Sequence, residues 1–454
     1  MGQHSRPKFS PLRAVVVAVL LVVLSSTAAC SPFSLSRATD EYSAEVATSW
    51  FALSLKLVQE TNGFTPPVAS RAFGYLGVTL YETVRPGMSG YQSMEGQLNE
   101  LESLPSTQWF VRYHWPSAAN AALADLMRRL FPTATPENLS AIDILEEKFA
   151  KQFMTEVDTL TYQRSVHWGR SMSAAIYTWS LEDGGHEGYG RNFPEDYVTA
   201  EGAGLWVSTP PNYAKALQPY WGSNRPFVLA DGSECAAPPP PAYSEDPDSA
   251  FYAEAMEVYE AVKENNPEHK AIAMFWADDA GRTSTPPGHW VSIMNQVLTA
   301  EEGSLALAAE GYAKLGIAVA DSFITCWNTK FIHNVLRPIT YIQAHIDAAW
   351  NTPELTDPVV TPPFPEYTSG HSVQSAAAAA VLTELFGDDY AYTDHTHDQM
   401  GLPARSYGSF TEAANEAAIS RLYGGIHYRS AIEMGFTQGA CVGERVLDLK
   451  FGSR

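Results

Sequence analysis

The chain has 454 residues, with 29 Lys and Arg against 51 Asp and Glu, a formal net charge of −22. With 45% hydrophobic and only 18% charged residues it carries too much apolar material for a disordered chain, and its acidity argues against a general binder of nucleic-acid phosphates. The length corresponds to about three ordinary domains or one large helical unit, enough to bury a core without staples.

The first segment reads as an address. Arg6, Lys8 and Arg13 precede an apolar run from Ala14 to Leu24, too short to span a bilayer, and small residues from Ser25 to Ala29 follow it. Cys30 comes next, in the manner of a bacterial lipobox, where the cysteine becomes the acylated first residue of an exported lipoprotein. Thr27 stands where Leu is usual, and plain secretion, periplasmic or extracellular, is the alternative. Removing residues 1–29 takes the charge to 26 − 51 = −25. The remaining cysteines, Cys235, Cys326 and Cys441, form no CxxC or Cys/His spacing for zinc. One internal disulfide is possible, and the sequence does not choose it.

From residue 40 onward most of the chain has helical periodicity. Apolar residues fall on one face over Glu41–Glu60, Ser70–Val84, Ala118–Phe131 and Pro136–Leu160. Gly202 to Ser249 is Pro-rich and reads as an extended strap across one body rather than a linker. Ser304–Trp327 is the longest helix, with a stripe through Leu305, Ala309, Tyr312, Leu315, Val319, Phe323 and Cys326. A second Pro-rich stretch, Trp350–Thr368, leads into an Ala-rich helix, Ser372–Phe386, stopped by Gly387. Ser409 to Glu412 forms a capping box ahead of Ala413–Leu422. No period-2 strand and no internal repeat is visible. Asp394, His395, His397 and Asp398 crowd one stretch that offers cation ligands but reads foremost as a polar loop.

Three clusters carry chemistry. Lys330 and Arg337 lie seven apart at the end of the long helix, about two turns along one face, before Pro338 breaks it. Thr368 or Ser369 caps the Ala-rich helix, Gly370 opens it, and His371 stands beside that N-terminus, a prepared oxyanion site. Ser420-Arg421 is followed by Gly424-Gly425, where one helix ends, and by His427, where the next begins. Each cluster alone has a bland reading. Together, three cations, a helix start and two imidazoles suit one tetrahedral oxyanion. Each cation contributes about 4 kcal/mol at an effective dielectric near 20, before desolvation.

In order the clusters read K-x6-RP, SGH and SR-x3-G-x-H. This resembles the signature shared by the vanadium-dependent haloperoxidases and the type 2 phosphatidic acid phosphatase superfamily. Phe275-Trp276-Ala277-Asp278-Asp279 and Thr285-Pro286-Pro287 are similar to the fungal chloroperoxidase branch. The resemblance implies an all-α multi-helix bundle over residues 40–454, with its motif-bearing core in 270–450. It implies that His427 is the ligand to the vanadium of vanadate, or a phosphohistidine nucleophile if phosphate uses the same pocket. It makes His371 the acid/base and Lys330 the group polarising the oxidant. Lys330, Arg337, Ser369, Gly370 and Arg421 would hold the equatorial oxygens. Asp279 matches an acid that buttresses the arginines, and Trp327 and Phe364 match the halide pocket. Hydrogen peroxide and halide are the implied substrates, and a phosphate ester or a non-catalytic phosphate-binding lipoprotein the alternatives. The family motif continues H-x3-D, but position 431 is Ala, and Glu433 lies on the wrong face to replace it. A backbone carbonyl is then the expected partner fixing the tautomer of His427.

Overall fold

The computed structural model describes residues 1–2, 36–350 and 359–452. The leader, apart from Met1 and Gly2, and Cys30 lie outside the described residues. Thirteen helices are described: α1 (Glu45–Glu60), α2 (Pro66–Val84), α3 (Trp115–Leu130), α4 (Pro136–Phe153), α5 (Thr159–Ser180), α6 (Ala250–Lys263) and α7 (Pro267–Phe275). After them come α8 (Thr285–Ala300), α9 (Leu305–His333), α10 (Pro338–His345), α11 (Gly370–Phe386), α12 (Phe410–Tyr423) and α13 (Arg429–Leu447). The fold is helical, as the periodicity predicts. It has one antiparallel hairpin that the sequence did not reveal, β1 (Tyr392–Asp394) against β2 (Arg405–Tyr407), each strand too short to show a period. Among the described residues no helix is long and apolar enough to cross a membrane.

α9 is the central helix and is buried around nearly its whole circumference, against α2 on one side and α11 and α13 on the other. Ser304 caps its start, and Asn334, in the left-handed region at φ 50°, ends it. Lys330 and Arg337 therefore do not share a helix face. Arg337 sits beyond the break as the N-cap of α10, with Val335 and Leu336 between the two helices. The expected helix Pro136–Leu160 is likewise two helices, because the Asp158 carboxylate accepts from the Thr161 amide and starts α5. In α13, Gly435, Gly439 and Gly443 lower the intrinsic helix propensity. Those glycines serve packing: a Cβ at Gly439 would stand 2.0 Å from the Val373 carbonyl of α11.

The Pro-rich segment is a strap. The Trp206 amide donates to the Asn334 carbonyl and the Leu217 amide to the Pro363 carbonyl. Buried Asp321 on α9 accepts from the amides of Phe227, Val228 and Leu229. A disulfide joins Cys235 in the strap to Cys441 on α13, leaving Cys326 free and buried. The strap thereby roofs one end of α9, where the motif residues gather.

Candidate active site

The starts of α10, α11 and α13 meet beside the end of α9. Ser369 is the cap of α11, its Oγ accepting from the Ser372 amide, and its own amide donates to the Ala431 carbonyl of α13. That bond brings the turn holding Gly425 (φ 72°) and His427 against the α11 start. α13 begins at Arg429 with Tyr428 as its cap, so His427 precedes the helix rather than opening it.

A cavity of about 380 Å³ lies at this junction. Gly370, His371, Arg421, His427, Asp278 and Asp279 line its polar floor, and Trp327, Phe364, Phe323 and Leu217 line its apolar wall. Trp327 and Phe364 pack ring to ring at 4.8 Å. A Cβ on Gly370 would find its nearest neighbours 3.8 and 4.0 Å away, so the helix start is open on this side.

Arg337 and Lys330 stand behind that wall. Arg337 donates from Nε to the Phe364 carbonyl and from Nη1 to the Ile426 carbonyl, and its buried Nη2 has no partner. Lys330 is fully buried and donates to the carbonyls of Pro365, Glu366 and Thr368. Burial lowers it to about 8, and burial lowers Arg337 and Arg421 each to about 10. Arg421 is held by the Ala273 carbonyl and Ser420 Oγ. Asp279, half-buried at the cavity floor, is pushed up to about 6 by burial against the opposing field of Arg421.

The two imidazoles differ. The His371 ring donates to the Trp276 backbone, while its Nε2 is buried without a partner. Burial, and then the Arg421 charge, hold its pKa well below the ordinary value. His427 Nε2 lies 3.2 Å from Arg337 Nη1. A guanidinium nitrogen can only donate, so Nε2 carries the lone pair and Nδ1 the proton. Nδ1 donates at 2.7 Å to Glu366 Oε1, which also accepts from the Tyr428 amide at 2.8 Å. The partner that fixes the tautomer is therefore a carboxyl group, not the expected backbone carbonyl. Ala431 leaves the family position empty, and Glu366 fills the same need from the segment before α11. Burial raises Glu366 to about 8, and burial, then Arg337 and Lys330, lower His427. The sequence held one signal for Glu366: it is the only acid between Val359 and His371.

A second network supports the floor. His289 of α8 is fully buried, with Nδ1 2.8 Å from Asp278 and Nε2 2.7 Å from Asp394. His397 Nε2 lies 3.1 Å from the other Asp278 oxygen. Asp278, His289 and His397 are the one grouping among the described residues with metal-ligand spacing. Both His289 nitrogens already face carboxylates, which makes the ring an imidazolium bridge. Burial alone would lower its pKa, but Asp278 and Asp394 outweigh that and raise it to about 10. The polar loop is thus divided: Asp394 and His397 are buried in this network, while His395 and Asp398 pair with each other in solvent.

Comparison with known proteins agrees with this architecture. The family model for the VCPO second helical-bundle domain matches residues 311–451. The vanadium chloroperoxidase of Curvularia inaequalis is 23% identical over 275 residues, 46% of this chain and 45% of that protein. The chain thus aligns with less than half the length of this curated relative. A solved structure described as the first bacterial vanadium-dependent iodoperoxidase is 37% identical, with a TM-score of 0.82 over 91% of this chain and 98% of that one. A holo-type bacterial vanadium-dependent chloroperoxidase shares the fold, with a TM-score of 0.64 at 15% identity over 86% and 93% of the two chains. The chain belongs to the vanadium-dependent haloperoxidase family.

Proposed function

We propose that this protein is a vanadate-dependent haloperoxidase that uses hydrogen peroxide to oxidise halide, with iodide the first halide to test. The observation that carries the reading is the convergence on one cavity of His427, the unpartnered His371 Nε2 and Arg421, with Arg337 and Lys330 buried directly behind its wall and none of the three cations paired with a carboxylate. The iodide preference rests on the 37% identical relative described as an iodoperoxidase. The donor set suits vanadate: a neutral imidazole nitrogen, an orphaned guanidinium nitrogen and an open helix N-terminus.

His427 Nε2, held in the right tautomer by Glu366, would be the atom that attaches vanadate. Arg337 Nη2, Arg421 and the first amides of α11 would hold its oxygens, and Ser369 fixes that helix start as its cap. Bound vanadate supplies Lewis-acid activation of peroxide without a change of oxidation state. His371 Nε2, its pKa held below the ordinary value by burial and the Arg421 charge, would serve as the base that takes a proton from hydrogen peroxide and the acid that gives it back. Lys330 acts through its field, because its ammonium is engaged by three carbonyls. Direct contact with a bound oxygen requires it to release one of them. Trp327 and Phe364 shape a dry wall for the halide, and Asp279 faces Arg421 across the floor.

The test is peroxide-dependent iodide and bromide oxidation with and without added vanadate. Vanadate-dependent turnover, lost in His427→Ala, is expected. Turnover indifferent to vanadate or to that substitution refutes the reading. One observation favours a second activity at the same site: a carboxyl group on His427 Nδ1 also suits a phosphohistidine nucleophile attacking a phosphate ester. Phosphomonoester hydrolysis inhibited by vanadate selects it.

We further infer an exported enzyme held to a membrane through lipid on Cys30, supported by the basic, apolar and small-residue order of residues 1–30. Incorporation of labelled fatty acid into the parent but not into Cys30→Ser checks this.

A further inference from the structure

We propose that one end of the molecule is a bilayer-contact surface, built from the loop tip Trp109–Phe110 with Met154 and Leu160, that seats the enzyme on an anionic membrane beside its point of attachment. The proposal rests on the Cys30-anchored reading above.

Trp109 and Phe110 are each 85% exposed, and Leu160 and Met154 are 69% and 52% exposed. Large apolar side chains scattered singly on a surface need no explanation, but a grouped set does. Contacts made by their neighbours in the chain group these four. The loop is pinned shut behind its tip, since Tyr113 Oη accepts from the Gln108 amide. Arg164, one turn after Leu160 on α5, donates to the Arg112 carbonyl and lies over the Tyr113 ring. His114 reaches Glu156, two residues after Met154. The tip and the α4–α5 turn are therefore neighbours.

The chain's N-terminal side arrives at the same place. Ser36 Oγ accepts from the Tyr113 amide, and the Arg37 carbonyl accepts from Trp115 Nε1. Cys30 is six residues before Ser36, at most about 22 Å of extended chain. Trp109 is four residues from Tyr113, at most about 14 Å. A lipid on Cys30 would hold this end, rather than the cavity mouth, against the bilayer.

The charges fit an anionic surface despite the net charge of −22. Among the described residues neither Arg112 nor Arg164 has a carboxylate within ion-pair distance. Three acids at this end are engaged, Glu41 by Arg37, Glu156 by His114 and Asp158 by the Thr161 amide and hydroxyl, and exposed Asp40 stands against the two arginines. Aromatic rings at the headgroup level with arginines beside them are the pattern of an interfacial contact. The membrane is therefore the occupant favoured over a second copy of this chain.

The test uses the full chain with vesicles of phosphatidylethanolamine and phosphatidylglycerol. In a Cys30→Ser background, which carries no lipid, Trp109→Ser with Phe110→Ser should reduce vesicle co-sedimentation about tenfold. Bromine-labelled acyl chains should quench a tryptophan signal that Trp109→Phe removes. Retained melting temperature and peroxidase activity in the tip variants would show that they fold. Unchanged sedimentation together with no Trp109 quenching overturns the proposal, as does concentration-dependent self-association abolished by the same two substitutions. Mass spectrometry of the parent from membranes reads the anchor separately. An unacylated Cys30 with a quenched Trp109 refutes the anchor and retains the contact surface.

Discussion

Replacing Glu366 separates the orientation of His427 from the stability of the protein. Glu366→Leu removes the acceptor of two buried donors, His427 Nδ1 and the Tyr428 amide. Each orphaned donor costs about 1–3 kcal/mol. The same substitution removes a buried carboxyl raised to about 8, which costs stability increasingly as pH climbs from its unfolded value near 4.5 towards 8. The two effects oppose each other, so the melting temperature shifts little at neutral pH and becomes less sensitive to pH across that window. Vanadate binding has no such offset. Without an acceptor at Nδ1, His427 is free to place its proton on Nε2, facing the Arg337 donor, and the ring then turns or loses its lone pair. Loss of a partner of this kind costs roughly 10–100-fold in metal affinity. Glu366→Gln keeps a carbonyl oxygen for both donors and should stay closer to the parent. Calorimetric titration with vanadate, alongside nitrogen NMR of the His427 ring, reads both quantities. A Glu366→Leu protein that binds vanadate as tightly as the parent, with an unchanged tautomer, refutes the argument.

His289→Gln should destabilise by about 3–5 kcal/mol, because Asp278 and Asp394 lose the cation between them. A histidine raised to about 10 contributes stability that is full below its unfolded value near 6.5 and lost as pH rises through 10. The parent should therefore lose melting temperature between pH 7 and 10, and the variant should show a flatter profile by scanning calorimetry. His371→Ala should still bind vanadate through His427 yet lose about 10²–10⁴-fold in halide oxidation. Tight binding with parental turnover would remove His371 from the chemistry. Cys441→Ser opens a disulfide spanning 206 residues and should cost about 2–4 kcal/mol, read by denaturant melts.

The sequence made the site's charged atoms legible because they occur in short strings: SGH at the start of an Ala-rich helix, and an Arg and a His around paired glycines. It could not reveal which distant side chain answers each of them. Glu366 does not announce itself, because the family motif places the partner of His427 four residues further on, on the helix, whereas the fold brings it from 61 residues earlier in the chain. The same holds for His289, whose two carboxylates come from 11 residues before it and 105 after. The Lys330–Arg337 spacing misleads because α9 breaks at Asn334, not at Pro338, and a left-handed Asn announces itself less plainly than a proline. The apolar spacing marks α1, α2, α3 and α9, whereas α6, α7, α8 and α13 are not singled out, although α13 has an apolar stripe about as strong as that of α1.

The charge arrangement explains why these contacts belong together. Lys330, Arg337 and Arg421 are fully buried, and what surrounds them is mainly carbonyl oxygen: Pro365, Glu366 and Thr368 for the first, Phe364 and Ile426 for the second, Ala273 for the third. Carbonyl dipoles stabilise a cation without cancelling its charge. Of the nearby acids, Asp278 and Asp394 are tied by His289 and Glu366 by His427 and the Tyr428 amide, and Asp279 faces a cation, Arg421, without pairing to it within ion-pair distance. All three cations consequently have pKa values depressed by burial, the mark of a site short of negative charge. An oxyanion in the cavity would supply it and reverse those shifts. A salt-bridged site would have been more stable when empty, but it would have offered the guest nothing that its own carboxylates did not already hold.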